Sequence, residues 1–200
     1  MHFYCQLAYE HIPYTSPVSP KGTIADNGCG VCAASMVAEH LLGEDYPVEE
    51  CAKLAKACGS REGYGTDLYI FSPAFAEAKG LHYEKTFDSK EAYDFLEKGK
   101  GVVIANTSGN KEDWIGVFSD SGHYIVLCGA KNGRVAVWDP MYDPVLNPDR
   151  YEIPGRKGKV ILDGCTAYAD FSVVENDCRD RHYFMFWTDS AEKQTIDMKY

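Results

Sequence analysis

Residues 26–36 read DNGCGVCAASM, with one cysteine between two glycines and a second three positions on. Downstream, Val31, Ala34, Val37, Ala38, Leu41 and Leu42 recur at helical spacing and Gly43 supplies a stop, so the spacing predicts a helix over 30–42 with Cys29 at its start. A thiol there meets the positive end of the helix dipole and backbone N–H groups that lack intrahelical partners. With an imidazolium nearby, its pKa can fall from about 8.5 to as low as about 3.5. Gly28 and Gly30 leave room for a substrate backbone and for a tight entry into the helix. Cys32 lies one turn further in and reads as core.

The rest of the chain divides in two. PVEECAKLAKACG (47–59) carries Val48, Cys51, Leu54, Ala55 and Cys58 on one face and predicts a second helix. Residues 67–79 predict a third, irregular near Pro73, and DSKEAYDFLEK, opened by Asp88 and Glu91, a fourth. Residues 2–8 alternate and suggest a short strand, followed by a Pro-rich connection. After Lys100 the pattern changes to GVVIAN and then GHYIVLCGAKNGRVAVWDP, whose Asn-Gly marks an antiparallel hairpin. Pro140, Pro144, Pro148 and Pro154 punctuate a long connection, and HYFMFW (182–187) is a late strand. The expected fold is α+β. Residues 1–200 are expected to form one domain, with a mainly helical part over 1–100 and a mainly antiparallel sheet over 101–200.

Composition narrows the function. The net charge of -10, with no sizeable Lys/Arg cluster, argues against a nucleic-acid partner. No stretch approaches the roughly 20 apolar residues of a membrane span. Eight cysteines, several in apolar patterns, fall short of a disulfide framework and favour a reducing compartment. Residues 1–11 lack a secretory signal, which implies a cytoplasmic protein if Met1 is the native start and a secreted one if a signal has been removed. No cofactor or metal is expected. A zinc site on Cys29 and Cys32 would need a second compact ligand pair, which the spacing does not offer.

A thiolate nucleophile needs a base. His123 opens the strand HYIVLCG, with an apolar run behind it to fix its position; His182, opening HYFMFW, is the second choice, and His40 is expected to face solvent. A third group must orient the imidazole, and Asp139 ends the other hairpin strand. Register decides whether the two meet. A two-residue Asn132-Gly133 loop with regular pairing sets Asp139 opposite Val126, on the wrong face. A three-residue loop beginning at Lys131, or an equivalent bulge, sets it opposite Ile125, diagonal to His123, with Cα atoms about 7–8 Å apart. The three-residue loop or its equivalent is therefore predicted.

GCGVCAASMV, GHYIVLCG and VWDP together resemble the papain-like cysteine peptidases of the bacteriocin-leader (double-glycine) branch, a bacterial group, in a stand-alone form. The resemblance runs over roughly residues 3–142. It implies Cys29 as nucleophile, His123 as base and Asp139 as its orienting carboxylate. It also implies an upstream glutamine at the oxyanion, for which Gln6 is the only candidate, although it stands 23 positions before the cysteine rather than a few. The implied activity is hydrolysis of a peptide or related amide in a peptide or protein substrate. No transporter segment accompanies the motifs, so coupling to export is not expected. Two rivals remain: a thiol-disulfide oxidoreductase using Cys29-x-x-Cys32, and a peptide-binding domain of the same fold without turnover. The sequence leaves oligomeric state, substrate sequence and the role of residues 143–200 open.

Overall fold

The computed structural model describes residues 2–200. A seven-stranded, wholly antiparallel sheet forms its centre. The strands are β1 (His82–Thr86), β2 (Val102–Thr107), β3 (His123–Lys131), β4 (Arg134–Trp138), β5 (Val160–Asp163), β6 (Thr166–Asp170) and β7 (Tyr183–Trp187), in spatial order β1-β7-β2-β3-β4-β6-β5. Six helices surround it: α1 (Ile24–Asn27), α2 (Cys29–Leu42), α3 (Val48–Ala57), α4 (Leu68–Lys79), α5 (Ser89–Glu97) and α6 (Phe171–Asp177). None is long and apolar enough to cross a membrane.

Both faces of the central strands are covered, which is why β2 and the start of HYIVLCG read as continuous apolar runs rather than alternating ones. Ile104, Val126, Trp138, Phe184 and Phe186 face a core shared with Val31, Val37, Val48, Leu68, Phe71 and Phe75 from the N-terminal helices. On the other face, Val103, Ile125, Leu127, Val137 and Met185 pack with Leu96 of α5 and Val174 of α6. Helix α2 is buried from Gly30 to Glu39, as expected for a helix that is apolar nearly all round, and it stops where Gly43 turns left-handed at φ 68° and donates its N–H to Glu39 O at 2.9 Å.

The structure revises several sequence expectations. Residues 2–8 form no strand; Gln6–Tyr9 is a 3-10 turn, and Tyr4, Cys5 and Gln6 are buried in succession, which a one-faced strand would not allow. The helical half also lends β1 to the sheet. HYEKT gives no strand pattern because β1 is a polar edge strand, paired only with β7. The hairpin β5–β6 turns through Asp163, paired with Thr166, and Gly164 at φ 58°, so the Asp-Gly in VILDGCTAYAD was the available signal for it.

At the β3–β4 hairpin the structure takes the second of the two expected forms, a bulge rather than a three-residue loop. The turn has two residues: Lys131 pairs with Arg134, with Asn132 at φ 52° and Gly133 at φ 78°, as a type I′ turn requires. The register is then changed inside the strand. Gly129 pairs with Ala136 and Leu127 with Val137, so Cys128 is the extra residue of a bulge. Beyond it Val126 faces Trp138, and the same register sets Asp139 opposite Ile125.

Candidate active site

Cys29 is the first residue of α2, half-buried, at a helix start whose Gly28 N-cap offers no side-chain cap to the orphan N–H groups. The two flanking glycines have a more local role than admitting substrate. A Cβ on Gly28 would lie 2.5 Å from Ile24 O, and one on Gly30 would lie 2.9 Å from Thr66 Cβ. They let α1 run into α2 and let α2 press against the 59–67 loop.

His123 is 6% exposed, and its Nε2 lies 2.7 Å from Asp139 Oδ1. An ionised carboxylate only accepts, so Nε2 carries the proton and Nδ1 is left for the thiol. Asp139, 1% exposed, has a full set of donors. Met141 N–H gives to Oδ1 at 2.9 Å, while Arg150 Nε at 2.5 Å and Tyr151 Oη at 2.6 Å give to Oδ2. Arg150 also donates to Phe118 O, and the Phe118 N–H donates to the buried Asp177 carboxylate at 2.7 Å. Nothing in the sequence pattern marks Arg150 and Tyr151. They sit in the Pro-rich connection, where no periodicity marks a buried cation.

The charges support one another. Burial resists ionisation of Asp139, but the Arg150 and His123 charges hold its carboxyl well below the usual range. Burial likewise opposes a charged His123, yet the Asp139 carboxylate and the Cys29 sulfur push its pKa up to about 9. At Cys29, burial raises the thiol pKa, and the hydrogen bond and charge of His123 together with the Tyr124 and Gly30 N–H groups outweigh it and bring it below the ordinary value. Cys32 is the opposite case: with no exposed surface, it is pushed well up by burial. These surroundings favour a thiolate paired with an imidazolium at Cys29 and disfavour a thiolate at Cys32.

Gln6 is 4% exposed and ties the two sides of the site together. Its N–H donates to Pro140 O at 2.7 Å, next to Asp139, and its Nε2 donates to Ala25 O at 2.6 Å, in the helix leading to Cys29. The intervening Pro-rich segment loops back on itself, with Tyr14 N–H to Gly22 O at 2.8 Å and Ile24 N–H to Ile12 O at 3.0 Å, so the long spacing costs Gln6 nothing in position. One Nε2 hydrogen remains free of Ala25. His182 and His40 are engaged elsewhere. His182 Nδ1 lies 2.7 Å from Tyr69 Oη with its ring against Phe87, and His40, expected in solvent, is partly buried with Nε2 2.8 Å from Gln194 O.

A cleft of about 440 Å³ opens over Cys29 and His123, walled by the 59–67 loop, Tyr69, Asn106 and Tyr124. Arg61, 3% exposed, shapes that loop: its Nη2 donates to Tyr14 O at 2.7 Å, its Nη1 to Gly65 O at 3.2 Å and also to Gly63 O. A larger open groove, about 1170 Å³, lies between α5, β7 and the C-terminal segment, and none of the candidate side chains lines it.

The family model described as the Peptidase_C39-like family matches residues 6–157, about three quarters of the chain. The chain belongs to the Peptidase_C39-like family. Among solved structures, the peptidase domain of Streptococcus ComA, described as a bifunctional ABC transporter involved in a quorum-sensing pathway, superposes with a TM-score of 0.54 at 16% identity, covering 80% of this chain and 91% of that one. At that identity the match establishes a shared fold. No curated protein matches the sequence. The C39-like assignment agrees with the resemblance carried by GCGVCAASMV, GHYIVLCG and VWDP, and it extends past them to Arg150 and Tyr151.

Proposed function

We propose that the protein is a cysteine peptidase in which Cys29 is the nucleophile, His123 the general base and acid, and Asp139 the residue that fixes the imidazole, residues 1–200 acting as one domain on a peptide or protein substrate. The observation that carries this reading is the alignment of a helix-start thiol, an imidazole and a buried carboxylate, with His123 Nε2 2.7 Å from Asp139 Oδ1. The thiolate attacks the scissile carbonyl and forms a C–S bond, while the oxyanion takes hydrogen bonds from the Cys29 N–H and Gln6 Nε2. The imidazolium gives its proton to the leaving amine as the C–N bond breaks. Water, losing its proton to His123, then attacks the thioester and releases the carboxylate product. No step calls on a metal or cofactor.

The dithiol alternative draws little support, because the Cys32 thiol is wholly buried and strongly disfavoured as a thiolate. The test is a peptide-library profile of the wild type beside Cys29→Ala. Cleavage by the wild type alone supports the proposal. Equal cleavage by both overturns it; no cleavage by either alongside slow Cys29 alkylation also overturns it and favours a binding domain without turnover.

A further inference from the structure

Strand β2 is buried along its whole length, VVIANT, and five of its six residues are accounted for by packing or bonding: Val102 and Ile104 in one core, Val103 and Ala105 in the other, and Thr107 Oγ1 donating to His123 O at 3.2 Å. Asn106 is the exception. It is 8% exposed, and its backbone N–H is satisfied by His182 O at 3.3 Å. Among the described residues its side-chain amide has no hydrogen-bond partner. It pairs across the sheet with Tyr124 and lines the same cleft as Cys29 and His123. The amide is not sealed in the core: its polar atoms open onto the cleft, where solvent or a bound group, rather than another side chain, partners them.

A carboxamide offers two N–H donors and a carbonyl acceptor, the same set that a peptide unit presents in reverse. The charged groups of the cleft, Glu62, Asp67 and Arg181, are exposed and lie at its rim, so the neutral amide is the buried polar side chain available beside the thiol and the imidazole. Building on the peptidase reading, we infer that Asn106 is a substrate-binding residue that hydrogen-bonds a main-chain amide next to the scissile bond, so the substrate is a peptide with at least one further peptide unit rather than a simple amide or ester.

The best peptide from the library profile, and versions shortened one residue at a time from either end, are compared on the wild type and Asn106→Leu. In parallel, iodoacetamide labelling of Cys29 and the melting temperature are measured. The expected result is a fall of at least tenfold in kcat/KM carried mainly by KM, with a melting temperature equal to or above wild type and an iodoacetamide rate within twofold, since that small probe needs no bound peptide. One truncation that costs the wild type at least tenfold should cost the variant nothing. An unchanged kcat/KM would overturn the inference, as would a parallel fall of peptide turnover and iodoacetamide rate, which would assign Asn106 to support of the thiol–imidazole pair. If Asn106→Leu does not fold, Asn106→Ser is read by the same criteria. A wild type that labels slowly and cleaves nothing fails the peptidase reading itself, an outcome distinct from all of these.

Discussion

His123 and Asp139 share one face of the β3–β4 hairpin because Cys128 is an extra residue in β3, not because of the turn that joins the strands. A two-residue turn with regular pairing would put them on opposite faces, since a shift of one residue inverts every side chain. The bulge thus aims a carboxylate at an imidazole, and Asp139→Asn should lower kcat by about 10⁴-fold, as loss of the orienting carboxylate does in triads, while costing about 3–5 kcal/mol of stability because Arg150 loses its buried partner. Circular dichroism beside peptide turnover checks this; retained turnover would remove Asp139 from the site.

Arg150 and Tyr151 hold the carboxylate from behind. Arg150→Met leaves a buried carboxylate short of a cation, and stability should drop by about 3–5 kcal/mol. The groups facing Asp139 are then His123 and Tyr151, with Cys29 beyond the ring, so the uncompensated negative charge makes His123 more basic. The alkaline limb of the activity profile should move up from its wild-type position; a loosened site would move it down toward about 6.5, the ordinary imidazole value. Tyr151→Phe should cost about 1.5–3 kcal/mol, as for a hydrogen bond to a charged group.

The pH dependence of the wild type follows from the same pair. His123 has its pKa raised to about 9 and Cys29 is lowered, so the ion pair persists between the two and disappears as pH rises through about 9. Iodoacetamide labelling of Cys29 should remain fast at pH 6, where a free thiol of pKa about 8.5 is almost wholly protonated, and His123→Ala should slow it. The stability gained from the raised imidazole is complete below about pH 6.5 and fades as pH climbs through about 9. The depressed Asp139 works at the other end, contributing above about pH 3.9 and losing its contribution as acid protonates it. Labelling rates and melting temperatures across pH 3–10 test both signs.

Gln6→Ala should lower kcat by about 10²–10³-fold through loss of an oxyanion donor, with little change in the iodoacetamide rate, because alkylation develops no oxyanion. A large fall in both rates would instead identify Gln6 as a brace between Pro140 and Ala25.

Gly30→Ala tests the helix-to-loop contact. The added methyl meets Thr66 at 2.9 Å, and Thr66 is held by Tyr14 Oη at 2.7 Å. The strain should cost about 1–3 kcal/mol and lower peptide turnover by displacing the cleft wall, as read by melting temperature and kcat/KM.

The sequence by itself determined the local pieces: the helix that begins at Cys29, its apolar continuation to Leu42, the GHYIVLCG strand, and the Asn-Gly turn that joins it to VWDP. Each was legible because periodicity, glycine and turn chemistry act within a few residues. They also bounded the register problem, since only an extra residue could bring Asp139 to His123. Tertiary structure alone decided that this residue is Cys128, inside the strand, because both faces of β3 are packed and the alternation shifts there: Val126 and Cys128 face one core, while Ile125, Leu127 and Ala130 face the other. It also decided the partners of Asp139, the return of Gln6 across the Pro-rich segment and the unpaired amide of Asn106. Those relationships join residues distant in sequence, and burial and hydrogen-bond satisfaction, which select them, are properties of the folded chain.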